Sequence, residues 1–561
     1  MKNIFSFLVI FISLNVRGQI PSLDYANTSG SSEGDRTNSI ITDGAGNIYA
    51  AGYFHDTVDF DPGAGVLNLN GEISQATFIV KYNSSGSVAW AKEFLHSYPY
   101  SITIDSSASI YVTGSFIDSS DFDPGNGVHI LHSSGSRDIF ILKLDSSGNF
   151  IWANSIGGSV DDNGFSICMS NSNSICVAGE FGDTVDFDPG SGITDLISSA
   201  NPDGYVARYD LSGNLIWAKS FSGTGFNNNV SVTTDNLGNI ISIGGFVGTT
   251  DFDPGATTFN ITSGPWDMFI SKLNSNGNFI WAKQFAGNDF SNVNHVVIDQ
   301  SNNIYVTGSF DGTFDFDPDA GVANLISNGG DDLYLCKLNS NGNFIWVKQI
   351  GSANQQSGTS MVIDHSNRIC LTGYFYGICD FDTGAGTDSL TTNGGFDFFL
   401  SMLDLNGNTL YSFNIGGIGY DEAWSITCDN SDNVFLGGHF GGTVDFDATT
   451  SSDIHSSNGN EDFFVLKFNP SAASISEIKS SDNLLIYPNP ATNQLTVESV
   501  GSQQHAVSRI EITDALGRKL FSIAKPLPTS TIQLQTFSAG IYFIKVYFGD
   551  GEMEVKKFMK E

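Results

Sequence analysis

The segment VDFDPGAGV, beginning at Val58, returns six more times along the 561-residue chain as SDFDPGNGV, VDFDPGSGI, TDFDPGATT, FDFDPDAGV, CDFDTGAGT and VDFDATTSS. The first aspartate of the motif falls at 59, 121, 186, 251, 315, 380 and 445, so successive copies stand 62 to 65 residues apart. A fixed period of this kind means one supersecondary unit copied in series, each copy burying its apolar face against its neighbours. Seven copies therefore predict one repetitive architecture rather than several unrelated domains.

Each copy carries four short runs of strand-forming residues separated by turn signals. In the second copy the pattern predicts strand A over Ser101 to Asp105, B over Ile110 to Phe116, C over Asp138 to Asp145 and D over Phe150 to Gly158. The A–B and C–D turns, DSSAS and DSSGN, suit tight reversals, and the longer B–C connection carries DFDPG. Four antiparallel strands describe a propeller blade, so the fold class expected is all-β, a seven-bladed β-propeller over residues 19–469. The last copy ends at strand C (DFFVLKFN, Asp462 to Asn469) without an FIWAK strand, while LDYANTSG near the start matches FIWANSIGG. Asp24 to Gly30 are thus expected to supply the missing outer strand and to remove a free sheet edge. Trp90, Trp152, Trp217, Trp281 and Trp346, with Tyr25 and Tyr411, share one strand D position, and Phe54, Phe116, Phe181, Phe246, Phe310, Phe375 and Phe440 share one at the end of strand B. Large aromatics at a fixed strand position read as packing between blades, with a carbohydrate platform as the functional alternative.

Hairpins such as NNIYVTGSF (Asn302 to Phe310), preceded by an xIxID strand, resemble the bacterial β-propeller repeat family often labelled SBBP, over residues 24 to 469. That resemblance implies the fold and is nearly silent on activity.

Residues 1–18 have Lys2, an apolar stretch from Ile4 to Leu14 and small residues before Gln19, the form of a secretory signal peptide. The apolar run is about half the ~20 residues that a membrane span needs. A Ser-rich linker, 470–483, leads to a segment of different composition, 484–561, whose alternation in RIEIT and IYFIKVYF predicts a small antiparallel β-sandwich. YPNPA, DALGR, SAGIYFIKV and the terminal KKFMK, in that order, resemble the C-terminal sorting domain of the type IX secretion system of Bacteroidota. The resemblance implies partners, an outer-membrane translocon and a sortase-like protease that removes the tail, and a location that is secreted or on the cell surface.

Formal net charge is -36, and only the tail, with 8 basic and 7 acidic residues, escapes the imbalance. A chain so acidic repels phosphate backbones and anionic membranes, which excludes nucleic acid as an expected partner. The six cysteines show no CxxC and no metal-ligand spacing. Cys168 and Cys176 flank one hairpin turn and face each other across it, where an exported setting would allow oxidation although facing strands fit disulfide geometry poorly.

Alternation turns the two aspartates of each motif the same way: Asp59 and Asp61, Asp121 and Asp123, Asp186 and Asp188, Asp251 and Asp253, Asp315 and Asp317, Asp380 and Asp382, Asp445 and Asp447. A third acid opens strand C at Asp138, Asp203, Asp267, Asp332, Asp397 and Asp462, with Ala76 the exception. On one rim these acids could hold Ca²⁺, which takes six to eight oxygens. The other reading has the motif acids capping their own turn and the strand C acid pairing with Lys or Arg, since the spacing is not that of known calcium loops.

GxSxG occurs once, at Gly30 to Gly34, without the strand-to-helix setting that a nucleophile elbow needs, and the histidines are scattered. Two of them break the internal symmetry: His295 stands where other copies have Ser39, Ser101, Ser166, Ser231, Ser360 and Ser425, and His439 where they have Tyr53, Ser115, Glu180, Gly245, Ser309 and Tyr374. The expectation is an exported binding or adhesion protein with no assigned catalytic residue or cofactor. A secreted polysaccharide- or peptide-processing enzyme and a calcium-stiffened structural surface protein are the alternatives; an enzyme would need convergent acids near the central channel.

Overall fold

A computed structural model describes residues 20–71, 75–198, 202–449 and 451–469, and further along 484–499, 507–514, 519–524, 527, 529–538, 540–548 and 553–560. The expected signal peptide and linker lie outside the described residues. The chain divides into two compact units, Met1–Ser471 and Ala472–Glu561.

Among the described residues of the first unit, seven antiparallel sheets follow one another, each built on a four-stranded A–B–C–D meander that a further hairpin extends to six strands in two of them. Blade 1 is Arg36–Thr42, Ile48–Phe54, Ala76–Tyr82 and Val88–Leu95. Blade 7 is Glu422–Cys428, Val434–Phe440 and Asp462–Asn469, with Ser22–Ser29 as its outer strand. The A strands touch in a circle, from Arg36–Thr42 through Ser97–Ile104, Asn163–Ser170, Ser231–Thr234, Ser291–Ile298, Gln356–Ile363 and Glu422–Cys428 back to Arg36–Thr42. They line the axis, and the D strands form the outer wall.

Strand A of the second blade starts at Ser97, four residues before the position that alternation predicts. The cause is a β-bulge just before the axial residue, between Pro99 and Ser101 here and at the same place in five other blades. A bulge inserts one residue and breaks the period of two, so the first half of the strand has no periodic signature. The bulge brings the A backbone close to strand B. A Cβ on Gly52, Gly114, Gly179, Gly244, Gly308, Gly373 or Gly438 would lie 1.7–2.0 Å from the carbonyl oxygen opposite, which is why YVTGSF carries glycine.

The strand B phenylalanines are all buried, and each meets the phenylalanine of its own DFDPG motif edge to face at 5.2–5.5 Å, as Phe54 does Phe60 and Phe440 does Phe446. Each such ring buries apolar area at about 1.5–3 kcal/mol. The strand D tryptophans tie blade to blade: the indole N–H of Trp90 donates to the Ser146 carbonyl, Trp152 to Leu211 and Trp217 to Ser275, at 3.1–3.3 Å.

At the seam Ser22–Ser29 runs antiparallel to Asp462–Asn469, pairing Ser22 with Asn469 and Ser29 with Phe463. In the second unit, Leu484–Tyr487, Gln494–Ser499 and Thr529–Gln533 form one sheet, and Lys519–Ala524, Val507–Asp514, Gly540–Phe548 and Met553–Lys560 form the other. Leu495, Val497, Ile510, Ile512, Ile544, Val546 and Phe558 fill the core between them, the β-sandwich that alternation predicts.

Candidate functional site

The DFDPG segments leave the blades as small hairpins, Thr57–Asp59 with Asn68–Asn70 in blade 1, and two of them extend strand D of the preceding blade: Ser222 pairs with Asp251 and Ala286 with Asp315. Asp59 Oδ1 accepts the backbone N–H of Asp61 at 3.0 Å and of Leu67 at 2.8 Å, and Asp61 Oδ1 accepts that of Gly63 at 2.8 Å. Asp121 and Asp123, Asp186 and Asp188, Asp251 and Asp253, Asp315 and Asp317, Asp380 and Asp382, and Asp445 and Asp447 repeat this bonding. These acids are half-buried or exposed and hold the turn in shape.

The third acid of each copy is not on the rim with them. Asp138, Asp203, Asp267, Asp332, Asp397 and Asp462 are 0–2% exposed. Asp138, Asp267, Asp332, Asp397 and Asp462 bond to backbone N–H groups and hydroxyl or amide side chains rather than to Lys or Arg, Asp138 to Ser134 N and Ser155 Oγ, and Asp397 to Asn414 Nδ2 at 2.7 Å. Burial pushes Asp332 and Asp397 up to about 6 and Asp462 up to about 7. Three further buried acids, Asp35, Asp162 and Asp421, stand beside Asp462, Asp138 and Asp397 respectively, and Asp162 and Asp421 are pushed up to about 7 by burial and then by that neighbour. Among the described residues no group of three or more His, Cys, Asp or Glu side chains is placed to hold a metal ion. Cys168 and Cys176 are cross-strand partners and both are free thiols.

The axial serines link the blades. Ser39 Oγ accepts the N–H of Ile102, Ser101 that of Ile167, Ser166 that of Val232 and Ser425 that of Ile40, at 3.1–3.2 Å. His295 does the same work through Nδ1, 3.3 Å from Met361 N, and burial among the channel walls pushes its imidazole down to about 4. His295 is a neutral substitute for serine in the ring. The channel holds a cavity of about 300 Å³ lined by these residues and by Asn38, Tyr100, Phe165, Asn294 and Trp424. A cavity of about 430 Å³ lies elsewhere, at the outer edge between strand D of blade 1 and the hairpin of blade 2, among Lys92, Glu93, Asp121 and Asp123. The axial cavity is the more informative of the two because the internal symmetry fails at its mouth.

At that mouth each blade presents three neighbouring positions, on strands A and B and just before C. Blade 6 has Ser357, Tyr374 and Phe396; blade 1 has Arg36, Tyr53 and Gln75; blade 7 has Glu422, His439 and Glu461. His439 is 1% exposed, and its Nε2 lies 3.8 Å from Glu422 Oε2 and 3.6 Å from Glu461 Oε2. Its Nδ1 has no hydrogen-bond partner among the described residues. Arg36 reaches across the seam to Glu461, with Nη2 at 2.8 Å and Nε at 3.2 Å. Burial, then Arg36, pushes His439 well below the usual imidazole range, so two carboxyls face a neutral ring. Burial lifts Glu422 to about 7, with Arg36 opposing and Glu461 adding to the rise. Aromatic runs flank the cluster: Trp424 to Tyr374 at 6.2 Å, Tyr374 to Phe396 at 5.1 Å and Phe396 to Tyr420 at 5.7 Å on one side, and Tyr53 to Tyr98 at 5.0 Å and Tyr98 to Tyr100 at 4.8 Å on the other. Sequence symmetry singles out His439 alone; reading the same two registers in every blade would have added Glu422 and Glu461.

Residues 485–561 match the family described as "Secretion system C-terminal sorting domain" (Por_Secre_tail). Over 72% of its length the chain is 24% identical to the "Uncharacterized WD repeat-containing protein L264" of Acanthamoeba polyphaga mimivirus, and over 30% of its length 24% identical to "Regulatory protein FlaEY" of Caulobacter vibrioides. These matches span 35% and 18% of those proteins. Among solved structures it is similar to PorZ, a surface component of the type IX secretion system of Porphyromonas gingivalis, at 11% identity and a TM-score of 0.22, covering 95% of this chain and 82% of that one. It is also similar to Sqt1 from Chaetomium thermophilum, at 9% identity and a TM-score of 0.37, covering 80% and 99%. Among the described residues no helix is long and apolar enough to cross a membrane. The chain is an all-β propeller protein whose C-terminal type IX secretion sorting domain sends it to the cell surface or the medium.

Proposed function

We propose that the propeller is an exported binding or adhesion protein whose ligand site is the mouth of the axial channel at blades 6, 7 and 1. The observation that carries this reading is the side-chain set there: the three mouth positions differ from blade to blade while the packing phenylalanines and strand B glycines repeat, and blade 7 sets Glu422, His439 and Glu461 opposite Arg36. Scaffold needs are met in every blade, so side-chain variation gathered at the mouth points to contact with something outside the chain. A rigid ring also presents such groups without an ordering cost on binding. The sorting domain delivers this face outside the cell, and a sortase-like protease then removes the tail.

The test is to give blade 7 the residues of blade 6, Glu422→Ser, His439→Tyr and Glu461→Phe, and to probe glycan and protein arrays with both proteins, with and without Ca²⁺. Ligands of the parent should be lost; an unchanged set of hits overturns the assignment of the mouth. One observation favours a second reading, a polysaccharide-processing enzyme: Glu422, held up to about 7, neighbours Glu461, which Arg36 pairs, and unequal carboxyls are what acid–base hydrolysis requires. Release of reducing ends from polysaccharides, lost in Glu422→Gln, would establish it.

A further inference from the structure

We propose that the Trp424 edge of the channel mouth is a subsite for a neutral oligosaccharide, with Glu422, Glu461 and Arg36 bonding its hydroxyls and Trp424 and Tyr420, at the two ends of an aromatic run, stacking on different sugar rings. This rests on the binding reading above and names its ligand class.

The argument is one of chemical balance. Trp424 is 37% exposed and Tyr420 57%, and both belong to the run that passes through Tyr374 and Phe396, so flat apolar faces stand open beside polar groups. A pyranose has the matching pattern, C–H groups on its faces and hydroxyls around its edge; the electron-rich face of an indole or phenol attracts the slightly positive C–H hydrogens. Each hydroxyl both donates and accepts, and the site supplies both partners: the Arg36 guanidinium only donates, and the carboxyl oxygens of Glu422 and Glu461 accept.

Other ligand classes leave something unpaired. An anion would face Glu422 and Glu461. An organic cation would suit the rings, but it would find Glu461 already paired with Arg36 at 2.8 Å and would have to stand beside that guanidinium with Glu422 as its partner. A purely apolar ligand would strip water from Arg36 and two carboxyls without replacing their hydrogen bonds, a cost larger than the stacking gain. The His439 imidazole adds the second observation, being 1% exposed, aimed through Nε2 at the gap between the two carboxyls, and without a partner on Nδ1 among the described residues. At 3.6–3.8 Å the ring stands beside both carboxyls without a hydrogen bond to either. The channel below continues the same chemistry, with Asn38, Asn294, Thr359 and the axial serines around a cavity of about 300 Å³.

The experiment is calorimetric titration of the exported protein with neutral oligosaccharides, cello-, xylo-, manno- and chito-oligomers, in parallel with Lys- and Arg-rich peptides, while tryptophan fluorescence is recorded. At least one oligosaccharide should bind with a change in the Trp emission, and Trp424→Ala and Glu461→Ala should each weaken it tenfold or more. Tyr420→Ala, at an exposed position, provides the same reading in a variant whose fold is not at risk. Saccharide binding that is unmoved by both Trp424→Ala and Tyr420→Ala overturns the proposal. So does the absence of saccharide binding at millimolar concentration. In that case, a basic peptide whose binding is lost in Trp424→Ala would keep the binding reading and change only the ligand class, whereas no binding in either arm would remove both.

Discussion

Lys467 Nζ stands 2.9 Å from Asp24 Oδ2 across the seam, joining the strand that ends the ring to the strand that begins it. Asn458 Nδ2 adds a bond to the Gly30 carbonyl at 3.1 Å, and Thr28 Oγ1 one to His455 Nδ1 at 2.7 Å. Removing 22–30 would strip a full strand ladder from blade 7 and expose the edge of Asp462–Asn469. The expected outcome is a large drop in Tm and self-association, read by melting and sedimentation. A deletion that melts like the parent would show that the ring does not depend on this closure.

The acids of the DFDPG loops are occupied by backbone N–H groups, so their replacement should destabilise with or without Ca²⁺. Asp186→Ala removes the acceptor for Asp188 N and Thr194 N and should cost about 1–3 kcal/mol for the groups left unpaired. Chelator should leave the parent Tm unchanged. A Tm that falls with chelator and returns with Ca²⁺ would instead assign these loops a cation, because a ligand bound only by the native state stabilises it.

Stability should also depend on pH, with a sign set by the buried acids. Asp162, Asp421 and Asp462 bind their proton up to about 7 in the fold but release it near 4 when unfolded. Between those limits the native state holds more protons, so stability falls as pH rises from about 4 to 7 and is lower beyond. Asp145, Asp210 and Asp404, held low by turn N–H groups once their burial is outweighed, act oppositely and lose their contribution as pH falls below about 4. The melt should therefore be highest on the acid side of neutrality. Asp162→Asn, which copies Asn227 of the next blade, should flatten the slope between pH 5 and 8, and a slope that Asp162→Asn leaves intact would show these acids are ionised in the fold.

Export should depend on the sorting domain. Truncation before Leu484 should leave a folded ring inside the outer membrane, measured by fractionation and protease accessibility; efficient surface display of the truncated chain would refute the role of the tail.

The architecture was legible because a repeat writes each strand several times: the missing strand D of the last copy and its match at LDYANTSG are enough to pair Ser22–Ser29 with Asp462–Asn469. Strand A was legible only in part, since the bulge before Ser101 interrupts the alternation that would reveal Ser97 to Tyr100. The rim expected of twenty carboxylates is divided, because an Asp at a strand end reads the same in sequence whether exposed, like Asp445, or buried, like Asp462. Of the mouth cluster only His439 could be noticed. Its partner Glu461 meets Arg36 from 425 residues away, and no local pattern announces a contact made by ring closure.

That closure also orders events in time. The first strand of the ring is synthesised more than 400 residues before its partner, a wait on the order of a minute at ~5–20 residues per second. During that interval blade 7 does not exist, and neither does the cluster of Glu422, His439 and Glu461 with Arg36. The sorting domain follows Asn469 in the chain, so any polypeptide that carries the export address has already received the strand that completes its ring. A chain interrupted before Asp462 therefore lacks both the closing strand and the sorting domain.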